Sequence, residues 1–167
     1  MAARLVPELD VADLDRSLAF YVGVAGFRIM FGRPEERFVY LDRDGAQLML
    51  EEAVGPGRRF RTAPLDHPYG RGMNLMIEVS DVVTLHAAVA VAGSCEIVIP
   101  LEERWYRANE IENGQRQFVA ADPDGYLLRF FTELGQRPAG SGGRGPTGAA
   151  RRHQPRERVP TARQRAG

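Results

Sequence analysis

An α+β fold built from two βαβββ modules is predicted by three features of this 167-residue chain. A helix that opens on an aspartate cap and stops at a glycine occurs twice. Asp13 to Gly26 spans thirteen positions and Asp81 to Gly93 spans twelve. An acidic turn closed by glycine also occurs twice, as Asp42-Arg43-Asp44-Gly45 and Asp122-Pro123-Asp124-Gly125. Strand-like alternation precedes each helix and flanks each turn. Internal repetition of this kind constrains architecture more tightly than local propensity does.

In order, Leu5 to Val11 alternates, with Leu9 and Val11 on one side and Val6, Glu8 and Asp10 on the other. Asp13 is positioned to cap a helix carrying Leu14, Leu18, Tyr21, Val22 and Ala25 on one face. Strands are expected over 27–31, 37–41 and 47–52. Val54 to Gly72 holds three Pro, four Gly and the cluster Arg58, Arg59 and Arg61, and reads as a connecting segment. The pattern then restarts. Asn74 to Val79 alternates, Asp81 caps a second helix, and 96–100, 115–121 and 127–131 complete the second unit. The expected division is 1–53, 54–72, 73–135 and a tail, 136–167. The Gly, Pro and Arg content of that tail cannot bury enough apolar surface to order it.

Composition bounds the class. The hydrophobic fraction of 44% and charged fraction of 26% are those of a globular domain. No apolar run approaches the ~18 residues of a membrane span, and the N-terminus lacks the basic and apolar regions of a secretory signal. With Cys95 the single cysteine, no intrachain disulfide can form, and a cytoplasmic location is expected. Cys95 reads as a small buried residue or as a nucleophile. The formal net charge is zero but uneven. From Gln136 onward eight Arg face one acid, which leaves 14 Arg against 21 acids in the body. An acidic body favours cationic ligands. The tail reads as a solvated extension in preference to a contact for nucleic acid or an acidic membrane, and neither of those partners is expected.

Val11-Ala12-Asp13-Leu14-Asp15-Arg16-Ser17-Leu18-Ala19-Phe20-Tyr21 with Gly26-Phe27, and Asp122-Pro123-Asp124-Gly125-Tyr126-Leu127-Leu128-Arg129-Phe130, resemble the vicinal oxygen chelate superfamily. The resemblance runs from Arg4 to about Gly135 and is closest to the bleomycin-resistance branch. It implies the glyoxalase/bleomycin resistance fold, in which curved sheets enclose a cleft, and a homodimer with paired or swapped modules. In metal-dependent members it implies ligands on the first and last strands of each module. Those places hold Val6, Asn74, Met49 and Arg129 here. A divalent ion needs converging lone pairs. Val and Met supply no hard ligand, a neutral Asn only a weak one, and Arg a permanent positive charge. No metal site and no cofactor are therefore expected. Of the three His, His67 falls in the connecting segment, His153 in the tail and His86 on the helix surface.

Strand alternation lines the expected cleft with Val6, Glu8, Met49 and Glu51 from one module. The other contributes Asn74, Met76, Glu78, Leu127, Arg129 and Phe131. Arg129 is either seated in the cleft and paired with Glu8, Glu51 or Glu78, or turned outward at a sheet edge. Trp105 and Tyr106 read either as a stacking surface for a flat heteroaromatic ligand or as a loop anchor. Phe38, Tyr40 and Phe118 are candidate aromatic walls. The expected function is metal-independent binding of a small molecule, through sequestration of a cationic, bleomycin-type glycopeptide antibiotic. The alternative is a metal-dependent enzyme of the glyoxalase or extradiol dioxygenase kind; metal-free catalysis would use Glu8 or Glu51 as a base whose pKa burial raises.

Overall fold

The computed structural model describes residues 3–140. The first unit runs β1 (Glu8–Val11), α1 (Leu14–Tyr21), β2 (Arg28–Arg33), a 3-10 turn (Pro34–Glu36), β3 (Phe38–Arg43) and β4 (Ala46–Glu52). The second runs β5 (Asn74–Glu78), α2 (Val82–Ala92), β6 (Glu96–Ala108), β7 (Ile111–Ala121) and β8 (Leu127–Pro138). Each unit forms one four-stranded mixed sheet, ordered β1-β4-β3-β2 and β5-β8-β7-β6. The first strand of each pairs parallel with the last, and the remaining pairs are antiparallel.

Both helices start where the sequence predicts. The Asp13 carboxylate accepts from the Asp15 and Arg16 amides, and the Asp81 carboxylate from the Val83 and Thr84 amides. These bonds satisfy donors that a helix start leaves open; the Arg16 amide chiefly holds the Asp13 carboxyl below its ordinary value, and the Thr84 hydroxyl, which donates at 2.6 Å, together with the Thr84 amide does so for Asp81. The α2 helix ends at Gly93, whose φ of +59 needs no Cβ clearance. The α1 helix ends at Tyr21, well before the expected stop at Gly26. Its last residues unwind through bonds from the Val24 and Ala25 amides to the Phe20 carbonyl, and Gly26 turns the chain into β2 at φ +75.

Alternation sorts each strand into two faces. Leu9, Val11, Leu41, Leu48 and Leu50 point to one side of the first sheet, against Leu14, Phe20 and Tyr21. Ile77, Phe118, Ala120, Leu128 and Phe130 do the same in the second, against Val82, Leu85 and Val89, and both sets belong to one core. The other face of each sheet carries the polar and aromatic residues, and it is the face from which a site can be built.

Three expectations are corrected. β6 continues through the polar stretch 101–108 instead of ending at Pro100, because Ala108 and Ile111 close a hairpin with β7. β8 continues to Pro138, inside the segment expected to be a tail, because 135–138 pair with 111–114 of β7. Residues 141–167 of that expected tail, including His153, lie outside the described residues. His86 is half-buried, not superficial, with its ring edge-on to Phe118 at a centroid distance of 5.1 Å.

The repeated acidic turn ties the two units together. One Asp122 carboxylate oxygen accepts from the Asp124 amide at 2.9 Å and the Tyr126 amide at 2.8 Å, and the other from the Tyr21 hydroxyl. Asp124, fully buried, accepts from the Ala12 amide at 3.1 Å and the Ser17 hydroxyl at 3.4 Å. Arg16 and His67 approach it at 3.4 and 3.3 Å. The Tyr126 hydroxyl donates to the Asp10 carbonyl in β1. Gly70 of the connecting segment lies so close to Tyr126 that an added Cβ would meet the Tyr126 backbone at 2.1 Å. The first unit's turn differs: Asp44 is exposed and borders an open 380 Å³ cavity with Glu78, Ser80 and Glu133.

Candidate functional site: an aromatic cavity on the first sheet

Residues on the outer face of the first sheet enclose a cavity of about 360 Å³. Glu8 comes from β1, Phe38 and Tyr40 from β3, and Met49 and Glu51 from β4. Register explains the grouping: Glu8 lies opposite Met49, Met49 opposite Tyr40, and Glu51 opposite Phe38, so period-two alternation sends all five to one side. These five were expected at a cleft, and they share one cavity.

Sequence reading missed Phe31, Arg33 and Glu36 in this wall, together with Arg58 and Phe60 of the connecting segment. Phe31 stacks on Tyr40 with ring centroids 4.9 Å apart and an interplanar angle of 21°, and lies 6.2 Å from Phe38. The Arg33 guanidinium covers the Phe38 ring at 3.8 Å. The missed signal is the pairing of β2 with β3, which sets Phe31 opposite Tyr40 and Arg33 opposite Phe38. A bulge between Ile29 and Phe31 breaks the alternation by which Phe31 could have been assigned a face.

The acidic body does not give this cavity a one-sided charge. Glu8, Glu36 and Glu51 are met by Arg33 and Arg58 in the wall. A smaller cavity of about 180 Å³, sharing Glu8, Glu51 and Phe60 with the first, adds Asp10 and Arg59. Arg61 pairs with Asp10, and Arg59 approaches Glu51 at 3.9 Å. Burial raises the pKa of Glu51 above the ordinary carboxylate range, against the opposing pull of Arg59 and with help from the neighbouring Glu8 and Asp10 charges. Aromatic surface, not a surplus of negative charge, is the cavity's main resource.

The second sheet presents a matching outer face. Met76 lies opposite Arg129, Glu78 opposite Phe131, Asn74 opposite Leu127, and Gln117 opposite Phe131. Tyr106 joins this face through its hydroxyl, 3.0 Å from the Gln117 side-chain oxygen. The cavity over the first sheet takes no wall from this surface.

Three placements are corrected here. Arg129 is half-buried, but its Nε is enclosed without a hydrogen-bond partner and no carboxylate of the described residues lies within 4.0 Å. Glu8 and Glu51 stand on the other sheet, and Glu78 lies opposite Phe131, one pleat away along the strand. Phe118 faces inward, fully buried and tilted against Phe130 at 5.4 Å. Trp105 sits opposite Gly114 on the face away from Tyr106, and a Cβ on Gly114 would come within 2.7 Å of the indole. The Arg137 guanidinium lies 4.0 Å from that ring. The indole is thus held between sheet backbone and an arginine, as an anchor of the extended hairpin.

The residues at the places the resemblance assigns to metal ligands do not fit a divalent ion. Val6 and Met49 offer no hard donor, Asn74 is exposed, and Arg129 brings a guanidinium with a buried, unpartnered Nε. Among the described residues no group of three or more His, Cys, Asp or Glu is arranged to hold a metal. No described helix is long and apolar enough to cross a membrane.

Known proteins share both sequence and shape with this chain. A bleomycin resistance protein of Geobacillus stearothermophilus is 26% identical over 137 residues, covering 77% of this chain and 96% of its own length. One from Staphylococcus aureus matches equally. The crystal structure of TioX from Micromonospora superposes with a TM-score of 0.61 at 26% identity, covering 79% of this chain and 100% of that one. A virulence protein of Salmonella typhimurium, 19% identical, shares the fold at a TM-score of 0.59 over 79% of this chain and 98% of its own. A sequence profile of the Glyoxalase/Bleomycin resistance protein/Dioxygenase superfamily matches residues 6–130, and the chain belongs to that superfamily.

Proposed function

We propose that the protein binds a small molecule without a metal, sequestering a planar, cationic antibiotic of the bleomycin type. The observation that carries this reading is the stacked Phe31–Tyr40 pair beside Phe38 and Met49, in a cavity open to solvent. An aromatic surface of this kind binds flat heteroaromatic groups through stacking and apolar burial. Glu8 supplies a counter-charge for a cationic substituent, whereas the Glu36 carboxylate is already paired with Arg33. Relatives named for bleomycin resistance, 26% identical across nearly their whole length, support the ligand class. Protection by sequestration needs affinity and copy number, and no catalytic group.

A second copy of the chain completes the site in this reading. The outer face of the second sheet, with Met76 49% exposed, supplies the opposite wall through Tyr106, Arg129 and Phe131. Sedimentation velocity then gives a dimer; a monomer at micromolar concentration contradicts the pairing. For the ligand itself, thermal unfolding is followed with metal-free and copper-loaded bleomycin. The wild-type protein is expected to shift upward with both, and Tyr40→Ala to lose most of the shift. A shift that Tyr40→Ala retains in full removes the cavity from the account.

A further inference from the structure

The connecting segment contributes Arg58 and Phe60 to the wall of the aromatic cavity, and Arg59 and Arg61 on either side of Phe60 are fastened by hydrogen bonds. Arg59 donates from Nε and one terminal nitrogen to the Glu52 carbonyl at 3.0 and 2.6 Å. Its other terminal nitrogen donates to the carbonyls of Gly55 and Gly57 at 2.7 and 2.8 Å. Arg61 bonds to the Asp10 carboxylate and to the Ala53 carbonyl. Between these two clips stands Phe60, 73% exposed, with the Arg58 guanidinium 4.8 Å from its ring. Phe60 borders both the aromatic cavity and the smaller one that holds Asp10 and Arg59. A large exposed aromatic held beside a cavity already walled by Phe31 and Tyr40 has no role in the fold's own packing.

We propose that residues 57–61 form a strap latched by Arg61–Asp10 and Arg59–Glu51, which presents Phe60 as a second aromatic wall against a bound planar ligand. The cavity as ligand site rests on the function proposed above; the latch does not. Asp10 and Glu51 then serve as counter-ions for the strap, Glu36 is held by Arg33, and Glu8 is left for the ligand. Arg59 is a positioning residue, since its contacts are to the Glu52, Gly55 and Gly57 carbonyls and to Glu51, and Phe60 is the residue that meets the ligand. Elevation of the Glu51 pKa by burial fits a carboxylate enclosed under the strap rather than open to solvent.

Limited trypsin digestion followed by mass spectrometry tests the latch without any ligand. Arg58 and Arg61 lie in the strap, whereas Arg71 lies further along the same connecting segment and bonds only to the His67 carbonyl. In Asp10→Asn and Glu51→Gln, cleavage after Arg58 and Arg61 is expected to accelerate several-fold relative to cleavage after Arg71. An unchanged ratio overturns the latch, and because it is a ratio, general loosening of the fold does not mimic success. The lid role is tested with two probes, bleomycin A2 and the planar cation thioflavin T. Phe60→Ala is expected to weaken binding about tenfold, as is Tyr40→Ala. Loss in Tyr40→Ala alone overturns the lid and spares the cavity as the site. If neither probe binds the wild type, the function proposed above fails and the role of Phe60 falls with it, while the cleavage ratio still decides the latch.

Discussion

The Tyr21 hydroxyl donates to the buried Asp122 carboxylate at 2.9 Å, joining the first helix to the turn that enters β8, 101 positions along the chain. Burial raises both pKa values: that of Asp122 is pushed up against the pull of the Tyr126 and Asp124 amides, and that of Tyr21 rises with it. An aspartate raised in the folded state holds its proton more tightly there than in the unfolded chain. Its contribution is fully present below the unfolded value of about 3.9 and is lost as pH rises through the folded value. Asp13 and Asp81, held low, run the opposite way and lose their contribution as pH falls. The clean readout is therefore the difference between wild type and Asp122→Asn in urea midpoint, from pH 3 to 7. The wild type's relative stability should decline as pH rises above about 4; a flat or rising difference contradicts the assignment.

Asp124 and Asp44 hold equivalent places in the two repeats but unlike surroundings. Asp124 is fully buried and accepts from Ala12 and Ser17, while Asp44 is exposed at φ 50, a conformation that Asn also tolerates. Replacing a buried acceptor that bonds several donors costs about 2 kcal/mol, whereas an exposed exchange stays within about 0.5 kcal/mol. Asp124→Asn and Asp44→Asn should separate accordingly in chemical denaturation. Equal effects would mean that the two units are not joined through the second turn.

Arg129 has a buried Nε without a partner among the described residues, which is a desolvation penalty with no return. Arg129→Met keeps the apolar stem and removes the unsatisfied donor. Stability is expected to be unchanged or higher by up to about 1 kcal/mol. A loss of comparable size would show that the guanidinium is paired in solution, as it would be if a second copy supplied a carboxylate.

Repetition made the fold legible. Asp13 and Asp81 marked both helix starts, and the Asp-x-Asp-Gly turns marked the hairpins, because caps and turns depend on a few local residues. Helix α1 and strands β6 to β8 were less legible at their ends. Pairing with a neighbouring strand, which no local window records, carries β8 to Pro138. The site was half legible for the same reason. Glu8, Met49 and Glu51 follow from alternation within single strands, while Phe31 required the β2–β3 register across a bulge. Trp105 and Phe118 went astray because composition marks an aromatic as interesting without saying which face it takes. Phe60 lies in a segment with no periodicity to read.

Phe31 and Tyr40 give a graded test of the cavity. Each presents one ring to the same wall, so Phe31→Leu should weaken ligand binding by less than Tyr40→Ala, and the double variant by no more than the two effects combined. Fluorescence titration with thioflavin T reads this directly. An unaltered affinity in the double variant would place the ligand elsewhere on the molecule.

Isothermal titration calorimetry with metal-free and copper-loaded bleomycin, on protein stripped of metal by chelator, measures the central claim most directly. The expected result is saturable heat with both forms at low micromolar ligand or below, and no change when the protein is first exposed to zinc or nickel. No heat at high micromolar ligand, or binding that appears only after metal is restored, would contradict it.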